Sequence, residues 1–225
     1  GVGPAVALTK ARSKRLDLEA YCSGEPLSVG TEPVLLLDNS TVEDRWGVDR
    51  VLNQPIKDPR NPVLMPDLPW EDAVGAPNVI YDDEARLFRM WYQGTDLNAH
   101  AHQFRLKDWD AARHGYPYFI GYAESRDGVH WEKPDLDGRP YLEHPRTNVV
   151  VTGLQKAQAP RVMWNPASTG LPGRFLMTYK DNLPEGYGSL CLAASDDGVT
   201  WRDDPANPAF VGLRDTWHNM VYDPV

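Results

Sequence analysis

The stretch that decides the fold includes Gly75-Ala76-Pro77-Asn78-Val79-Ile80-Tyr81 and, after a polar turn, Leu87-Phe88-Arg89-Met90-Trp91-Tyr92. It continues with Tyr118-Phe119-Ile120-Gly121-Tyr122-Ala123 and closes on Ser125-Arg126-Asp127-Gly128-Val129-His130-Trp131. The first three segments are short, rich in aromatic and β-branched residues, and ended by turn signals, which is typical of β-strands. Asp127-Gly128 predicts a tight turn into a fourth strand that carries Trp131. Four antiparallel strands in succession form one blade of a β-propeller.

The same pattern recurs further along the chain. Ala159-Pro160-Arg161-Val162-Met163-Trp164 repeats the first segment, and Phe175-Leu176-Met177-Thr178-Tyr179 repeats the second. Ser195-Asp196-Asp197-Gly198-Val199-Thr200-Trp201 repeats the turn and its tryptophan, and a third copy begins at Asn219-Met220-Val221-Tyr222. Self-similarity on this scale indicates a repeat architecture, so we predict an all-β chain holding about two and a half propeller blades.

The repeats also set the predicted domain boundaries. Residues 1–60 form a lead-in segment, and residues 61–225 form the partial propeller. Blade one spans 61–131, blade two spans 148–201, and blade three starts at 207. Each copy follows a similar short segment, namely Asn61-Pro62-Val63-Leu64, Asn148-Val149-Val150 and Asn207-Pro208-Ala209-Phe210. An incomplete ring leaves open strand edges, so either the chain is a fragment or a second chain or copy covers those edges.

An insertion at residues 95–116 interrupts blade one and carries His100, His102 and His114. We expect one helical turn in it, near residues 107–113. A long insertion within a repeat usually lies on one face of the molecule, often the binding face. Two histidines two residues apart would point the same way on a strand, but no acidic partner is fixed by spacing. We therefore predict no metal site and no cofactor.

Composition limits the classes of partner. The chain has 225 residues with 41% hydrophobic and 24% charged side chains, enough to bury a core. A formal net charge of −9 argues against nucleic acid and anionic membrane surfaces. Cys22 and Cys191 do not make a disulfide framework, and no run reaches the ~20 apolar residues of a membrane span. The sequence begins with Gly1 rather than Met, and removal of a leader by processing would fit a periplasmic or secreted location.

These blade motifs resemble those of the five-bladed β-propeller glycosidases, which include glycoside hydrolase families 32, 43, 62, 68 and 130. The resemblance covers about residues 61–225 and rests on strand and turn motifs that are shared across the superfamily. It implies a funnel on the propeller axis, lined by the first strand of each blade. In the relatives, residues at the start of those inner strands supply the catalytic carboxylates.

The resemblance points to particular residues of this chain. Glu71 and Asp72 precede the first inner strand, and Asp215, which follows Arg214, precedes the third. The Arg214-Asp215 pair resembles the Arg-Asp motif of family 32, whose Asp steadies the transition state. The Asn-Asp-Pro-Asn nucleophile motif of that family is absent, and an acid from a following blade is either missing or lies beyond Val225.

Glycoside cleavage needs two carboxyl groups in different protonation states beside one bond. We predict Asp72, Asp215 and Glu71 as the catalytic candidates. Glu71 and Asp72 could instead be solvated turn acids. The predicted substrate-binding residues are Trp70, Asn78, Lys156, Arg161, Arg214 and His218.

Each of these substrate-binding predictions has a structural alternative. Lys156 and Arg161 could hold a sugar hydroxyl or a carboxylate substituent, or form an ion pair within the funnel wall. His218 could carry a proton near neutral pH or simply lie at the surface.

The sequence thus predicts a glycoside hydrolase acting on an oligosaccharide or glycan. Hydrolysis is favoured over phosphorolysis because no cluster of basic residues indicates a phosphate site. The alternative is a carbohydrate-binding propeller module without catalysis.

Overall fold

A computed structural model describes residues 31, 47, 49, 51–183, 187–213 and 218–223. Most of the predicted lead-in segment, as well as Arg214 and Asp215, lies outside these described residues. The chain divides into two compact units, residues 1–56 and residues 57–225. The second unit holds every strand and helix that the structure describes.

The second unit consists of two antiparallel sheets that follow one another along the chain. The first contains β1 (Ala73–Asp82), β2 (Leu87–Thr95), β3 (Tyr118–Ser125) and β4 (Val149–Val151). The second contains β5 (Gln158–Trp164), β6 (Phe175–Asn182), β7 (Gly188–Ser195), β8 (Trp201–Asp203) and β9 (Phe210–Leu213). Between β2 and β3 lie helices α1 (Leu97–Arg105) and α2 (Ala111–His114), and a 3-10 turn (Ala167–Thr169) lies between β5 and β6. None of the helices in the described ranges is long and apolar enough to cross a membrane.

Both sheets are built as meanders with the same register. In the first sheet, β1 and β2 form a hairpin in which Asp82 and Leu87 are the pair next to the turn. Strand β2 then pairs with β3 along almost its whole length. In the second, β5, β6 and β7 pair in the same way. The two first strands share an irregularity, since Ala76 and Ala159 both have positive φ (46° and 49°) within a β-bulge. The prediction of an all-β chain containing part of a propeller is confirmed, because each sheet is one blade.

The outer strand of each blade differs from its predicted form. We expected Trp131 to lie in the fourth strand of blade one, but only an isolated bridge joins Glu124 to Glu132 there, and β4 supplies the outer strand. In blade two, β8 and β9 both pair with β7. The segments interpreted as lead-ins to a following blade therefore complete the outer edge of the blade before it.

Two asparagines explain why these segments turn back to the preceding blade. The Asn148 side-chain amide donates to the carbonyl of Tyr122 at 2.9 Å. The Asn207 side-chain amide donates to the carbonyl of Leu192 at 2.8 Å and its oxygen accepts from the Leu192 amide. Tyr122 and Leu192 occupy the same position of the repeat, three residues before the serine of the turn motif. Side-chain amides that mimic a strand's hydrogen bonds fix the outer segment where its backbone pairing begins.

The insertion is more helical than the sequence analysis predicted. The helical turn expected near residues 107–113 is wrong in its bounds, because α1 begins ten residues earlier and α2 begins at Ala111. The cause is Asp96, whose carboxylate accepts from the amide of Ala99 at 2.8 Å and caps the first turn of α1.

The Ser-x-Asp-Gly-x-x-Trp segments form turns that share one hydrogen-bond pattern. In each, the serine hydroxyl donates to the aspartate and accepts from the glycine amide. The aspartate accepts from the amides of the two residues after the glycine, and the tryptophan indole donates to the glycine carbonyl. The hydrogen bond from His130 and those from backbone amides hold the pKa of Asp127 below its ordinary value. The interpretation of these segments as structural turns agrees with this geometry.

The two blades meet on the face of β2 that carries Trp91. Its indole nitrogen donates to the carbonyl of Gly198, in the turn of blade two, at 2.7 Å. The centre of its ring lies 5.9 Å from the ring centre of Phe175 and 6.1 Å from that of Trp201. Trp91 is fully buried and belongs to a cluster that draws on both sheets, so the main core of this unit lies between the blades.

An ion-pair network joins the same two blades at the end of β1. The Asp82 carboxylate, which is fully buried, accepts from Arg89 at 2.8 Å and from Arg174 of the second blade at 3.0 Å. Burial by itself would raise the pKa of Asp82, but the hydrogen bonds from the Ala85 amide and from both arginines outweigh it. The pKa of Asp82 therefore lies below its ordinary value, and the carboxylate is ionised at neutral pH.

The repeated turn offers a matched test of blade packing. Gly198 and Gly128 both have positive φ (82° and 75°), so alanine at either position is strained by about 1 kcal/mol. An added Cβ would lie 3.0 Å from the Trp91 ring at Gly198 but 3.7 Å from its nearest neighbour at Gly128. We expect Gly198→Ala to lower the free energy of unfolding by about 1–2 kcal/mol more than Gly128→Ala does, because of overpacking. Urea denaturation measures both, and equal losses would contradict this packing.

Removal of the buried carboxylate of Asp82 should weaken the same contact between the blades. We expect Asp82→Ala to lower the free energy of unfolding by about 3 kcal/mol at pH 7, since it leaves two arginines without their buried partner. The exposed Glu84, which also pairs with Arg174, is the control, and Glu84→Ala should cost about 0.5 kcal/mol or less.

This loss should depend on pH in a defined direction. The folded-state pKa of Asp82 is depressed, so its contribution is complete above the unfolded value of about 3.9 and is lost as the pH falls through the folded pKa. The difference between wild type and Asp82→Ala should therefore shrink on acidification. Chemical denaturation at a series of pH values measures it, and a difference that grew towards low pH would be inconsistent with this role.

Candidate functional site

One end of the two blades carries four of the candidate residues, namely Trp70, Glu71, Asp72 and Lys156. Because the strands are antiparallel, the start of β1, the end of β2 and the start of β3 lie together, as do the start of β5 and the end of β6. Helices α1 and α2 leave β2 at this same end. The long insertion thus lies beside the starts of the inner strands, where the resemblance implies the substrate site.

A polar cleft of about 400 Å³ lies at this end, and we call it the Trp70 cleft. It combines an indole, carboxylates and imidazoles, a set of groups suited to a polar ligand with apolar faces. Its lining residues are Pro69, Trp70, Asp72, Asp96, Asn98, His102, Arg113, His114, Leu142, Glu143 and His144. The structure therefore brings together Trp70 and Asp72, two of the predicted site residues.

Trp70 is held in place from the outer strand of blade one. Its indole nitrogen donates to the side-chain oxygen of Asn148 at 3.1 Å, and its ring lies 5.0 Å from the His144 ring. The ring also packs against the small cluster formed by Phe119, Tyr141 and Val149. One side of the indole is thus anchored in the blade while the residue as a whole remains half-buried at the cleft.

Asp72 is exposed at the head of β1 and is partly engaged in the local fold. Its Oδ2 accepts from the amide of Leu97, in the first turn of α1, at 2.7 Å. Its own amide donates to the carbonyl of Thr95. Asp72 therefore links β1 to the insertion and still presents its carboxylate to the cleft.

Glu71 lies beneath the surface instead of in the cleft. Its side chain is fully buried, and its two oxygens accept from the Tyr92 hydroxyl and from Nζ of Lys133, both at 2.5 Å. Burial, together with the charge of Glu71, raises the pKa of Tyr92 far above its ordinary value, so the phenol stays protonated and donates. Lys133 also donates to the Met65 carbonyl and to Asp67. These contacts are those of a structural anchor, and the catalytic role of Glu71 stays a prediction.

Asn78 and Arg161 occupy the same repeat position and both reach the next copy of the repeat. Asn78 Oδ1 accepts from the amide of Val162 at 2.7 Å, across the contact between the blades. Arg161 Nε donates to the side-chain oxygen of Asn219, at the start of the third copy, at 2.8 Å. Both residues thus have connecting roles, and substrate contact by either stays a prediction.

Lys156 lies two residues before β5, outside the lining of the Trp70 cleft. Its Nζ stands 5.6 Å from the centre of the Tyr118 ring. The ring of His100, on α1, lies 5.7 Å from that of Tyr118 on β3. Arg214 and Asp215 fall outside the described residues, and His218 is half-buried just before the third copy of the first strand.

The insertion histidines diverge because they lie on a helix. Two residues apart on a helix, His100 and His102 point about 200° apart, and not to the same side as on a strand. His102 faces His114, with ring centres 5.9 Å apart, whereas His100 faces Tyr118. Within the described ranges, no group of three or more His, Cys, Asp or Glu side chains is arranged to hold a metal ion.

Several cleft residues were missed by the sequence analysis. Leu142, Glu143 and His144 come from the loop before β4, which carries no pattern of its own, and they reach the cleft because β4 pairs with β3. Asp96 signals a helix start by residue type, and its buried carboxylate is committed to Ala99 and the Tyr141 hydroxyl. A capping signal was therefore present in the sequence, but nothing local marked the loop.

The comparisons with known sequences identify relatives over part of the chain. Two uncharacterized proteins from two strains of Mycobacterium tuberculosis, MT1551 and Rv1502, are each 29% identical over 136 residues. The matched region is 60% of this chain and 36% of each relative, so the chain spans about a third of the length of these proteins. No family model matches the chain.

The comparisons with solved structures give partial likenesses. A fructofuranosidase variant from Schwanniomyces occidentalis, complexed with fructosylnystose, is 19% identical with a TM-score of 0.42 over 61% of this chain and 24% of that chain. A family 117 glycoside hydrolase from the marine bacterium Zobellia galactanivorans is 14% identical with a TM-score of 0.27 over 63% of this chain and 58% of that chain. Because both TM-scores are below 0.5, the fold of this chain is described from its own strand pairing and not from its likeness to these structures.

Proposed function

We propose that this chain carries part of the substrate site of a carbohydrate-active propeller that hydrolyses a glycosidic bond in an oligosaccharide or glycan. The observation that carries the proposal is the Trp70 cleft, where an anchored indole and an exposed carboxylate at the head of the innermost strand line one cavity. An aromatic face stacks on the apolar face of a sugar ring, and a carboxylate serves hydroxyls or an oxocarbenium-like centre.

In this proposal Asp72 is the ionised carboxylate at the reacting sugar, and Asp215 is the second acid. The order of the repeats supports the pairing, since each residue precedes the inner strand of its copy. Trp70 is the stacking platform, and His102, His114 and His144 supply hydrogen bonds to hydroxyls. The buried Glu71 holds Tyr92 and Lys133 and supports the segment that positions Trp70 and Asp72.

A second candidate function is carbohydrate binding without catalysis. It is favoured by the hydrogen bond from the Leu97 amide to Asp72, because a carboxylate that fixes the start of α1 has a structural reason to be present. The two functions share the cleft and differ in whether the carboxylate acts on the bond.

Substitution of Asp72 separates the two functions. We expect wild type to release reducing sugar from at least one member of a panel of oligosaccharides and aryl glycosides, and Asp72→Asn to lower kcat by about a hundredfold or more. Asparagine keeps an oxygen that can accept from Leu97, so folding is preserved. Asp215→Asn should have an effect of similar size. Asp137→Asn, an exposed surface pair with Arg146, is the control and should leave kcat unchanged.

The outcomes are distinct. Unchanged turnover in Asp72→Asn would remove this residue from the chemistry. Sugar binding by wild type without any release of reducing sugar would support the non-catalytic module instead.

The indole should contribute to binding more than to chemistry. We expect Trp70→Ala to raise KM about tenfold with a smaller change in kcat, since a stacking contact is made in both ground and transition states. Trp70→Phe, which keeps an aromatic face but loses the hydrogen bond to Asn148, should retain most of the affinity. Steady-state kinetics measures both, and an equal loss for both variants would show that the anchor matters and the ring face does not.

A further inference from the structure

Two lysines that are distant in sequence lie together at the start of blade two. Lys156 precedes β5, and Lys180 lies near the end of β6, where it is directly opposite Gln158 in the register. Residues directly opposite in an antiparallel pair present their side chains on the same face, with Cβ atoms about 5 Å apart. We call Lys156, Lys180 and Gln158 the lysine cluster.

The ammonium groups of this cluster make no direct contact with a carboxylate. Neither Lys156 nor Lys180 forms an ion pair within 4.0 Å of a carboxylate among the residues that the structure describes. Lys156 lies two residues before Gln158, and Gln158 is directly opposite Lys180. Burial and then the charge of Lys180 lower the pKa of Lys156, and the charge of Asp181 offsets only part of this. Like charges held together in a partly dry environment destabilise the fold unless an anion binds between them.

The nearest carboxylate is already committed to the backbone. Asp181 accepts from the amides of Leu154, Gln155, Lys156 and Asn182, which fold the segment before β5 around it. Asp181 is an attractive charge for Lys156, but its two oxygens are occupied by these amides and, among the described residues, it forms no ion pair with either lysine. Asp181 therefore shapes the approach to the cluster without neutralising it.

A third observation indicates that the cluster is built to receive a ligand. Gln158 is 5% exposed, and its Oε1 is buried without a hydrogen-bond partner, which is costly for a buried polar atom. A ligand hydroxyl would satisfy this oxygen. Lys156 is half-buried beside the Tyr118 ring, at the same end of the blades as the Trp70 cleft.

The geometry points to an anion subsite at Lys156, Lys180 and Gln158 that takes an oxyanion together with a neighbouring hydroxyl. The oxyanion would accept from the two ammonium groups, and the hydroxyl would donate to Gln158. A carboxylate of an acidic sugar and a phosphate group share this chemistry. The inference deepens the proposed function by naming an acidic substituent of the substrate or a bound phosphate. It rests on the proposed function only in taking the ligand to be a carbohydrate.

Binding of small probes tests the subsite without any need for catalysis. Sodium glucuronate, glucose and inorganic phosphate are titrated separately into the 225-residue chain, with the dissociation constant measured by isothermal titration calorimetry. We expect one of the two anions to bind, and glucose to bind at least tenfold more weakly than glucuronate if the acidic sugar is the ligand. Lys156→Gln and Lys180→Met should each weaken anion binding about tenfold or more. Lys107→Gln, an exposed lysine of the insertion, should have no effect.

The separate titrations distinguish an acidic sugar from free phosphate as the ligand. Glucuronate binding that depends on both lysines assigns an acidic sugar, and phosphate binding with the same dependence assigns free phosphate. If the buried Lys180 variant does not fold, as judged by circular dichroism, Lys156→Gln alone decides, since that residue is half-buried. Absence of binding by either anion, or equal affinity in wild type and Lys156→Gln, would overturn the inference, whatever the outcome for Asp72.

The pH dependence supplies a second readout. Lys156 must be charged to bind an anion, and its pKa is lowered. Affinity should therefore be complete below that pKa and fall as the pH rises through it, at lower pH than for an ordinary lysine. Affinity that did not change between neutral and strongly alkaline pH would contradict a role for this ammonium group.

Discussion

The structure depends on the contact between Trp91 and the Asp-Gly turn of the second blade. A single sheet of this size has two apolar faces and cannot bury either one alone. Trp91 closes one face, because its ring packs on Phe175 and Trp201 and its indole nitrogen satisfies the Gly198 carbonyl. The turn that ends one blade is thereby used as part of the core of its neighbour.

This constraint explains why the turn motif recurs with the same residue types. The serine and aspartate satisfy the amides of the turn, so that the glycine carbonyl is left to accept from tryptophan. In blade two that carbonyl accepts from the tryptophan of its own turn and from Trp91 of the other blade. Asp82 then fixes the same interface with two arginines, one from each blade. Hydrophobic packing and a buried ionic network thus act on one boundary.

The rigid interface also positions the polar end of the blades. The starts of the inner strands are fixed relative to each other by Asn78, which reaches Val162. On that framework, Asp72 joins the first inner strand to the insertion, and Asp181 orders the segment that leads to Lys156. The Trp70 cleft and the lysine cluster are therefore supported by strand ends and capped turns, which hold side chains more exactly than free loops do.

The sequence by itself determined the first three strands of each blade and the Asp-Gly turns that follow them, because these follow from local alternation, glycine positions and hydrogen-bonding side chains within a few residues. It also placed Trp70 and Asp72 at the head of the first inner strand. Only the tertiary structure decided that Glu71 is buried against Lys133, 62 residues away, and that Lys180 lies opposite Gln158. It also decided that the segment after Asn148 completes the outer edge of the first blade. Such contacts depend on strand register and on the packing of one blade against another, and no short-range pattern encodes which distant side chains will share a face.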